Sequence, residues 1–167
     1  MAPMASLTDA SFYKILVEKF PHEPTIKQSA ALQKLAAFVL SKNSDTVFML
    51  KGFAGTGKTT LIGTLVNSLW NTKQKAVLMA PTGRAAKVMA NYSNTQAFTI
   101  HRKIYFPKKQ GAGGVQFVMA PNKHRNTIFI VDEASMIPDA PVDSKLFENG
   151  ALLDDLLMYV YSGHNCK

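Results

Sequence analysis

Cysteine and long apolar runs are both scarce in this sequence. The single cysteine, Cys166, stands next to the last residue, so it forms no internal disulfide and belongs to no cluster of cysteine metal ligands. No segment approaches the roughly 18 uninterrupted apolar residues that a membrane-spanning helix needs. Residues 1–10 also lack the basic stretch followed by an apolar one that is typical of a signal peptide. These absences favour a cytoplasmic protein with no membrane segment.

Acidic residues are missing from a long central stretch. Between Asp45 and Asp132 lie 86 residues with no aspartate or glutamate, and 12 of them are lysine or arginine. From Asp132 onwards the balance reverses, with seven acidic residues and two lysines. A long stretch of one sign attracts polyanions such as nucleic acid. On charge alone, a solvated basic surface without any such partner is an equal alternative.

The hydrophobic pattern predicts alternating helices and strands. A chain of 167 residues, 47% of them hydrophobic, is long enough for one domain with its own core. Apolar runs of strand length predict strands buried on both faces of a parallel sheet, at residues 46–52, 75–81 and 127–134. Helical spacing predicts helices at residues 9–20, 26–40, 58–70, 83–92 and 150–162. This alternation predicts an α/β fold with a mainly parallel sheet.

Two segments interrupt that alternation. Residues 97–105 are ambiguous between helix and strand. Residues 106–126 are basic and glycine-rich, with one short strand candidate at 115–119. We interpret this second segment as an excursion from the main sheet in the form of a hairpin.

A phosphate-binding loop follows the first predicted strand. Residues 52–59 read GFAGTGKT and fit the pattern G-x-x-x-x-G-K-[ST]. Glycines permit backbone angles that let N–H groups point inward and form an anion nest at the start of a helix, and we expect such angles at Gly52, Gly55 and Gly57. The predicted nucleotide-binding residues of this loop are Gly52, Ala54, Gly55, Thr56, Gly57, Lys58, Thr59 and Thr60. The alternative is a glycine-rich turn that matches the pattern by chance.

The chemistry of the loop predicts ATP and Mg²⁺ as ligands. Lys58 would place its charge on the β- and γ-phosphates, and the hydroxyl of Thr59 would ligate Mg²⁺. Asp132 and Glu133 directly follow the apolar residues 128–131, and ligands collect at the carboxyl ends of parallel strands. We therefore expect Asp132 near the metal and Glu133 as the general base that polarises water. The alternative is a pair of acids that simply ends a strand.

Four motifs in order resemble the superfamily-one DNA helicases. They are GFAGTGKTT at 52–60, APTGRAAK at 80–87, TIHRKIY at 99–105 and IFIVDEASM at 128–136. The resemblance is to the RecD/Dda-like branch, whose members move 5′ to 3′, and it spans about residues 25–137. It implies an ATP-dependent helicase that moves on single-stranded DNA, with a RecA-like three-layer sandwich around the sheet. A non-translocating P-loop nucleotide-binding module is the alternative function.

The resemblance also assigns roles to individual residues. Gln28 matches the glutamine that reads the adenine edge, and an ordinary exposed helical glutamine is the alternative. A second set matches the motif that touches the DNA backbone: Pro81, Thr82, Gly83 and Arg84. Helix capping by Thr82 beside a solvated Arg84 is the alternative there. His101 matches a histidine close to the DNA path, and the alternative is a packed core histidine. Aromatic residues that could stack on bases or belong to the core are Phe98, Tyr105 and Phe106.

The resemblance implies a particular domain organisation. Residues 1–45 would form N-terminal helices with the adenine-side glutamine, and residues 46–167 an incomplete first RecA-like domain. A helicase of this kind has a second RecA-like domain as its partner, which supplies arginines to the phosphates. Such arginines contribute on the order of 10³ to 10⁵ in rate in related NTPases. We therefore expect the chain by itself to bind nucleotide and to hydrolyse it slowly or not at all.

Overall fold

Helices and strands alternate along the computed structural model, which describes residues 7–109, 111, 113–140, 146–147 and 150–167. The helices are α1 (Asp9–Lys19), α2 (Ile26–Leu40), α3 (Lys58–Val66), α4 (Gly83–Ser93), α5 (Ile100–Ile104) and α6 (Leu152–Tyr161). The strands are β1 (Lys75–Ala80), β2 (Ala97–Thr99), β3 (Tyr105–Lys109), β4 (Val115–Met119), β5 (Arg125–Val131) and β6 (His164–Cys166). Short 3₁₀ turns occupy Leu69–Asn71 and Ala134–Met136.

Four of the strands form one parallel sheet in the order β2-β1-β5-β6. Val77 in β1 lies opposite Phe129 in β5, and Thr127 in β5 lies opposite Cys166 in β6. The predicted strands at 75–81 and 127–134 are thereby confirmed. The ambiguous segment 97–105 contains both types of structure, because β2 passes directly into α5, which Thr99 caps by accepting a hydrogen bond from the N–H of Arg102 at 3.3 Å.

Helices cover both faces of the sheet, so the predicted three-layer α/β architecture is confirmed. One core lies between the sheet and helices α1 to α4, and it includes Phe12, Leu32, Leu65, Leu78 and Met89. A second core on the opposite face includes residues of α5 and α6, among them Ile100, Ile104, Leu152, Leu156 and Val160. Neighbouring strand residues alternate between the two cores, as the pleat requires.

A hairpin leaves the main sheet where the basic excursion was predicted. Strands β3 and β4 pair antiparallel, with Tyr105 opposite Met119 and Lys109 opposite Val115. The strand predicted at 115–119 is therefore confirmed. Residues 110 and 112 of the predicted excursion lie outside the described residues.

The segment 46–52 is not a strand, and the prediction of a buried strand there was wrong. Among the described residues, no backbone hydrogen bond joins this segment to the sheet. Phe48 and Leu50 pack against the first core, whereas Val47 and Met49 are 65% and 68% exposed. The segment has the alternation of an extended chain with one buried side, but a strand also requires a hydrogen-bonded neighbour.

None of the helices in the described part of the chain is long and apolar enough to cross a membrane.

Candidate functional site

The glycine-rich loop connects the extended segment to α3, and two of its glycines have left-handed backbone angles. Gly55 has φ of 76°, and Gly57, at the N-cap of α3, has φ of 86°. The expectation of such an angle at Gly52 was wrong. Gly52 is required by a close approach instead, because a Cβ there would lie 2.7 Å from Oγ1 of Thr56.

Lys58 directs its ammonium group back into this loop. Its Nζ donates hydrogen bonds to the carbonyl oxygens of Gly52 at 2.6 Å and Phe53 at 2.8 Å. The loop therefore holds a positive charge beside the first turn of α3, whose free N–H groups favour anions. A cation and a helix N-terminus meeting in one loop is the arrangement that phosphate binding needs.

Gln28 ties helix α2 to the same loop. Its Oε1 accepts from the N–H of Thr25 at 3.0 Å, and its Nε2 donates to the carbonyl of Thr56 at 3.3 Å. Thr25 caps α2, since its Oγ1 accepts from the N–H of Gln28 in a capping box. Both ends of the Gln28 amide are thus engaged, and its predicted contact with adenine stays a prediction.

Asp132 lies at the carboxyl end of β5, as predicted, and both of its carboxylate oxygens accept hydrogen bonds. Oδ1 accepts from the N–H of Glu133 at 2.9 Å, and Oδ2 accepts from the hydroxyl of Tyr92 at 3.0 Å. Burial and the charge of Asp132 raise the pKa of Tyr92 well above its ordinary value. Sequence reasoning missed Tyr92, because no motif links residues 40 positions apart.

Tyr92 also borders a cavity beside the phosphate loop. The cavity has a volume of about 260 Å³, and its lining includes Thr59 and Thr60 at the start of α3. Tyr92 therefore connects the cavity at Thr59 with the carboxylate of Asp132. That Thr59 and Asp132 bind one metal stays a prediction.

The donor set at this place suits Mg²⁺. Within the described ranges, no group of three or more histidine, cysteine, aspartate or glutamate side chains could hold a metal. Mg²⁺ does not need such a cage, because it keeps several waters and binds through one or two carboxylates together with substrate phosphates. A hydroxyl from Thr59 and a carboxylate from Asp132 are hard oxygen donors of the required kind.

Glu133 is exposed beyond the end of β5, and its backbone lies in the left-handed region with φ of 52°. Such angles cost a residue with a Cβ about 1 kcal/mol or more and cluster at functional sites. The turn directs the chain away from the sheet directly after Asp132. The predicted base is therefore accessible, as proton transfer to or from water requires.

Three of the residues predicted to contact DNA share a second cavity. Pro81, Thr82 and His101 line a space of about 340 Å³. Thr82 caps α4, since its Oγ1 accepts from the N–H of Ala85 at 3.2 Å. Gly83 and Arg84 are exposed in the first turn of α4, so the Arg84 guanidinium is accessible.

The three candidate stacking aromatics differ in their surroundings. Tyr105 is 8% exposed and donates to the buried Asp155 at 2.5 Å, so most of its side chain belongs to the core, and it also lines the second cavity. Phe98 is half-buried, and the Lys103 ammonium lies over its ring, 4.9 Å from the ring centre. Phe106 is 42% exposed and is the aromatic of the three that could stack.

The geometry of the loop predicts a graded response to alanine at two of its glycines, Gly57 and Gly55. A Cβ at Gly57 would lie 2.5 Å from Nε2 of Gln28, whereas a Cβ at Gly55 would meet open space. Left-handed backbone costs alanine about 1–2 kcal/mol, and 1.4 kcal/mol corresponds to about tenfold in affinity. We expect Gly57→Ala to lower the affinity for ATP by more than tenfold and Gly55→Ala to lower it less.

Fluorescence titration with a labelled ATP analogue measures these affinities. Gly83→Ala is the matched control, because Gly83 has no left-handed angle and a Cβ there meets open space. Equal affinities for all three single variants would contradict the geometry described for the loop.

Comparisons with known proteins place this site within a family. The family of AAA domains matches residues 33–160. The chain is 32% identical over 102 residues to the ATP-dependent DNA helicase Dda of Enterobacteria phage T4, an alignment that covers 59% of this chain and 22% of that protein. It is 29% identical over 139 residues to an uncharacterized protein of Acanthamoeba polyphaga mimivirus, and this alignment covers 70% of this chain and 28% of that protein. The chain thus spans between about a fifth and a third of these relatives.

Proposed function

The chain belongs to the family of AAA domains, and from this premise we propose that it is the ATP- and Mg²⁺-binding portion of a DNA helicase. The observation that carries the proposal is the phosphate loop, in which Lys58, two left-handed glycines and the N-terminus of α3 converge. ATP hydrolysis would be coupled to movement on single-stranded DNA, as the similarity to a phage DNA helicase suggests.

Each residue of the site has a definite task in this proposal. Lys58 neutralises the β- and γ-phosphates, and Thr59 and Asp132 hold the metal. When bound, Mg²⁺ would neutralise charge on the phosphate oxygens. Glu133 accepts a proton from the attacking water. Gln28 contacts the base side of the nucleotide by exchanging one of its present hydrogen bonds.

We further propose that a second RecA-like domain completes the site in the intact helicase. Residues 1–45 and 46–167 would form the N-terminal helices and part of the first such domain. In related NTPases, arginines that reach the phosphates from another domain or protein contribute on the order of 10³ to 10⁵ in rate. The chain alone should accordingly bind ATP while turning it over slowly.

The proposed DNA path crosses the start of α4 and the second cavity. Exposed basic residues lie on neighbouring elements of this acid-free part of the chain, namely Arg84 and Lys87 on α4, Arg102 on α5, and Lys108 and Lys109 on β3. A phosphate backbone contacting Thr82 and Arg84 would run beside His101, which lines the same cavity as Thr82.

Replacing Arg84 tests this path. Each phosphate contact to single-stranded DNA contributes about 0.7 to the slope of log affinity against log salt. We expect Arg84→Ala to weaken binding of a single-stranded oligonucleotide uniformly across sequences and to reduce that slope by about 0.7. Fluorescence anisotropy at several salt concentrations measures both quantities.

Lys34→Ala is the control, since Lys34 is an exposed lysine on α2, outside the acid-free stretch. It should leave the affinity and the slope as they are. Unchanged DNA binding in Arg84→Ala would contradict the proposed path. A chain that binds ATP and no single-stranded DNA at low salt would favour the non-translocating nucleotide-binding module instead.

A further inference from the structure

Tyr92 lies outside all four sequence motifs, yet its hydroxyl donates a hydrogen bond to a carboxylate of the candidate metal site. The donor and acceptor, Tyr92 Oη and Asp132 Oδ2, are 3.0 Å apart. The other oxygen of Asp132 accepts from the N–H of Glu133 at 2.9 Å. Two donors on two oxygens fix the rotation of a carboxylate. An ionised carboxylate has about four lone-pair sites, so these two hydrogen bonds leave sites for a metal.

Tyr92 is itself held in place by helix α3. At Gly63 of α3, a Cβ would lie 3.3 Å from the backbone oxygen of Tyr92 and 3.8 Å from Cδ2 of its ring. Glycine at position 63 therefore allows the end of α4 to approach α3 closely. Because α3 begins with Lys58 and Thr59, Tyr92 is packed against the helix that carries the phosphate-binding and metal-binding residues.

Tyr92 also lies at the cavity beside the loop. It lines the space of about 260 Å³ together with Thr59 and Thr60. One side chain thus contacts the helix after the phosphate loop, borders the cavity at Thr59 and hydrogen-bonds to Asp132. No other described side chain donates a hydrogen bond to Asp132.

We propose that Tyr92 is a positioning residue that orients the carboxylate of Asp132 for Mg²⁺, an inference that rests on the proposed function. Partners that hydrogen-bond to metal ligands fix the orientation of those ligands, and their loss typically costs 10- to 100-fold in metal affinity or activity. The hydroxyl acts through Asp132 and touches neither the nucleotide nor the water that attacks it.

Tyr92→Phe isolates the hydroxyl, because it keeps the ring that packs beside Gly63. We expect the Mg²⁺ concentration that half-saturates the Mg²⁺-dependent increase in labelled-ATP binding to rise about tenfold. Binding of the same nucleotide in EDTA should stay unchanged, as should the melting temperature within a few degrees. If this bond only held α4 to the end of β5, its loss in Tyr92→Phe would instead lower the melting temperature and leave the Mg²⁺ dependence unchanged.

Tyr13→Phe is the matched control. It removes a hydroxyl that is 2.5 Å from Oγ of Ser29, between α1 and α2. This variant should bind Mg²⁺ and nucleotide like the unchanged chain.

A double-mutant cycle with Asp132→Asn shows whether Tyr92 acts through Asp132. We expect the double variant to need the same Mg²⁺ concentration as Asp132→Asn alone. If Tyr92→Phe raised the required Mg²⁺ concentration by the same factor with or without Asp132→Asn, the positioning role would be overturned. An unchanged Mg²⁺ dependence in Tyr92→Phe would overturn it as well. Absence of nucleotide binding by the unchanged chain would instead overturn the proposed function together with this inference.

Discussion

Replacing Lys58 with alanine is expected to reduce the affinity for ATP on the order of 100-fold. The Lys58 ammonium lies inside the phosphate loop, bonded to the carbonyls of Gly52 and Phe53. Alanine removes the positive charge that faces the phosphates and also removes both of these bonds. Hydrogen bonds from a charged group contribute about 1.5–3 kcal/mol each, so losing two that the ammonium would make to the bound phosphates accounts for this magnitude.

Lys73→Ala provides the control for net charge. Lys73 is an exposed lysine between α3 and β1, so its replacement lowers the charge of the chain equally. Titration of both variants with labelled ATP, at one ionic strength, separates the local effect from the general one. Comparable affinities for Lys58→Ala and Lys73→Ala would show that the loop is not the phosphate site.

Replacing Glu133 with glutamine is expected to lower ATP turnover by about 10²- to 10⁴-fold while nucleotide affinity changes little. Glutamine keeps the shape of the side chain and the left-handed backbone angle of 52°, but it cannot accept the proton of the attacking water. Single-turnover measurements with excess protein detect the slow hydrolysis expected of this chain.

Glu23→Gln makes the same chemical change in the exposed turn between α1 and α2. It should turn over ATP at the rate of the unchanged chain. Turnover by Glu133→Gln within twofold of that rate would mean that another group acts as the base.

The sequence predicts well those features that depend on neighbours in the chain. The helical spacing of residues 26–40 predicts a helix, and α2 spans Ile26–Leu40 with Thr25 as its N-cap. The glycine spacing of the phosphate loop likewise predicts left-handed angles, correctly at Gly55 and Gly57 but not at Gly52, where a close approach to Thr56 requires glycine instead. Strands β1 and β5 follow from continuous apolar runs that are long enough for a sheet covered on both faces.

Features that depend on distant partners are less predictable. Residues 46–52 have the composition of a buried strand, but strand formation needs a hydrogen-bonded neighbour that composition does not specify. The sequence leaves Tyr105 open between stacking on bases and packing in the core, and its burial and its bond to Asp155, 50 positions away, place most of it in the core. The link between Tyr92 and Asp132 is likewise a product of helix α4 packing on β1 and beside α3, which no local pattern records.

Calorimetric titration of ATP into the unchanged chain, with Mg²⁺ and then with EDTA, tests whether the phosphate loop is a nucleotide site that Mg²⁺ strengthens. We expect one saturable nucleotide site per chain, with a higher affinity for ATP in Mg²⁺ than in EDTA. A folded chain, verified by its melting transition, that shows no saturable binding up to millimolar ATP would contradict it.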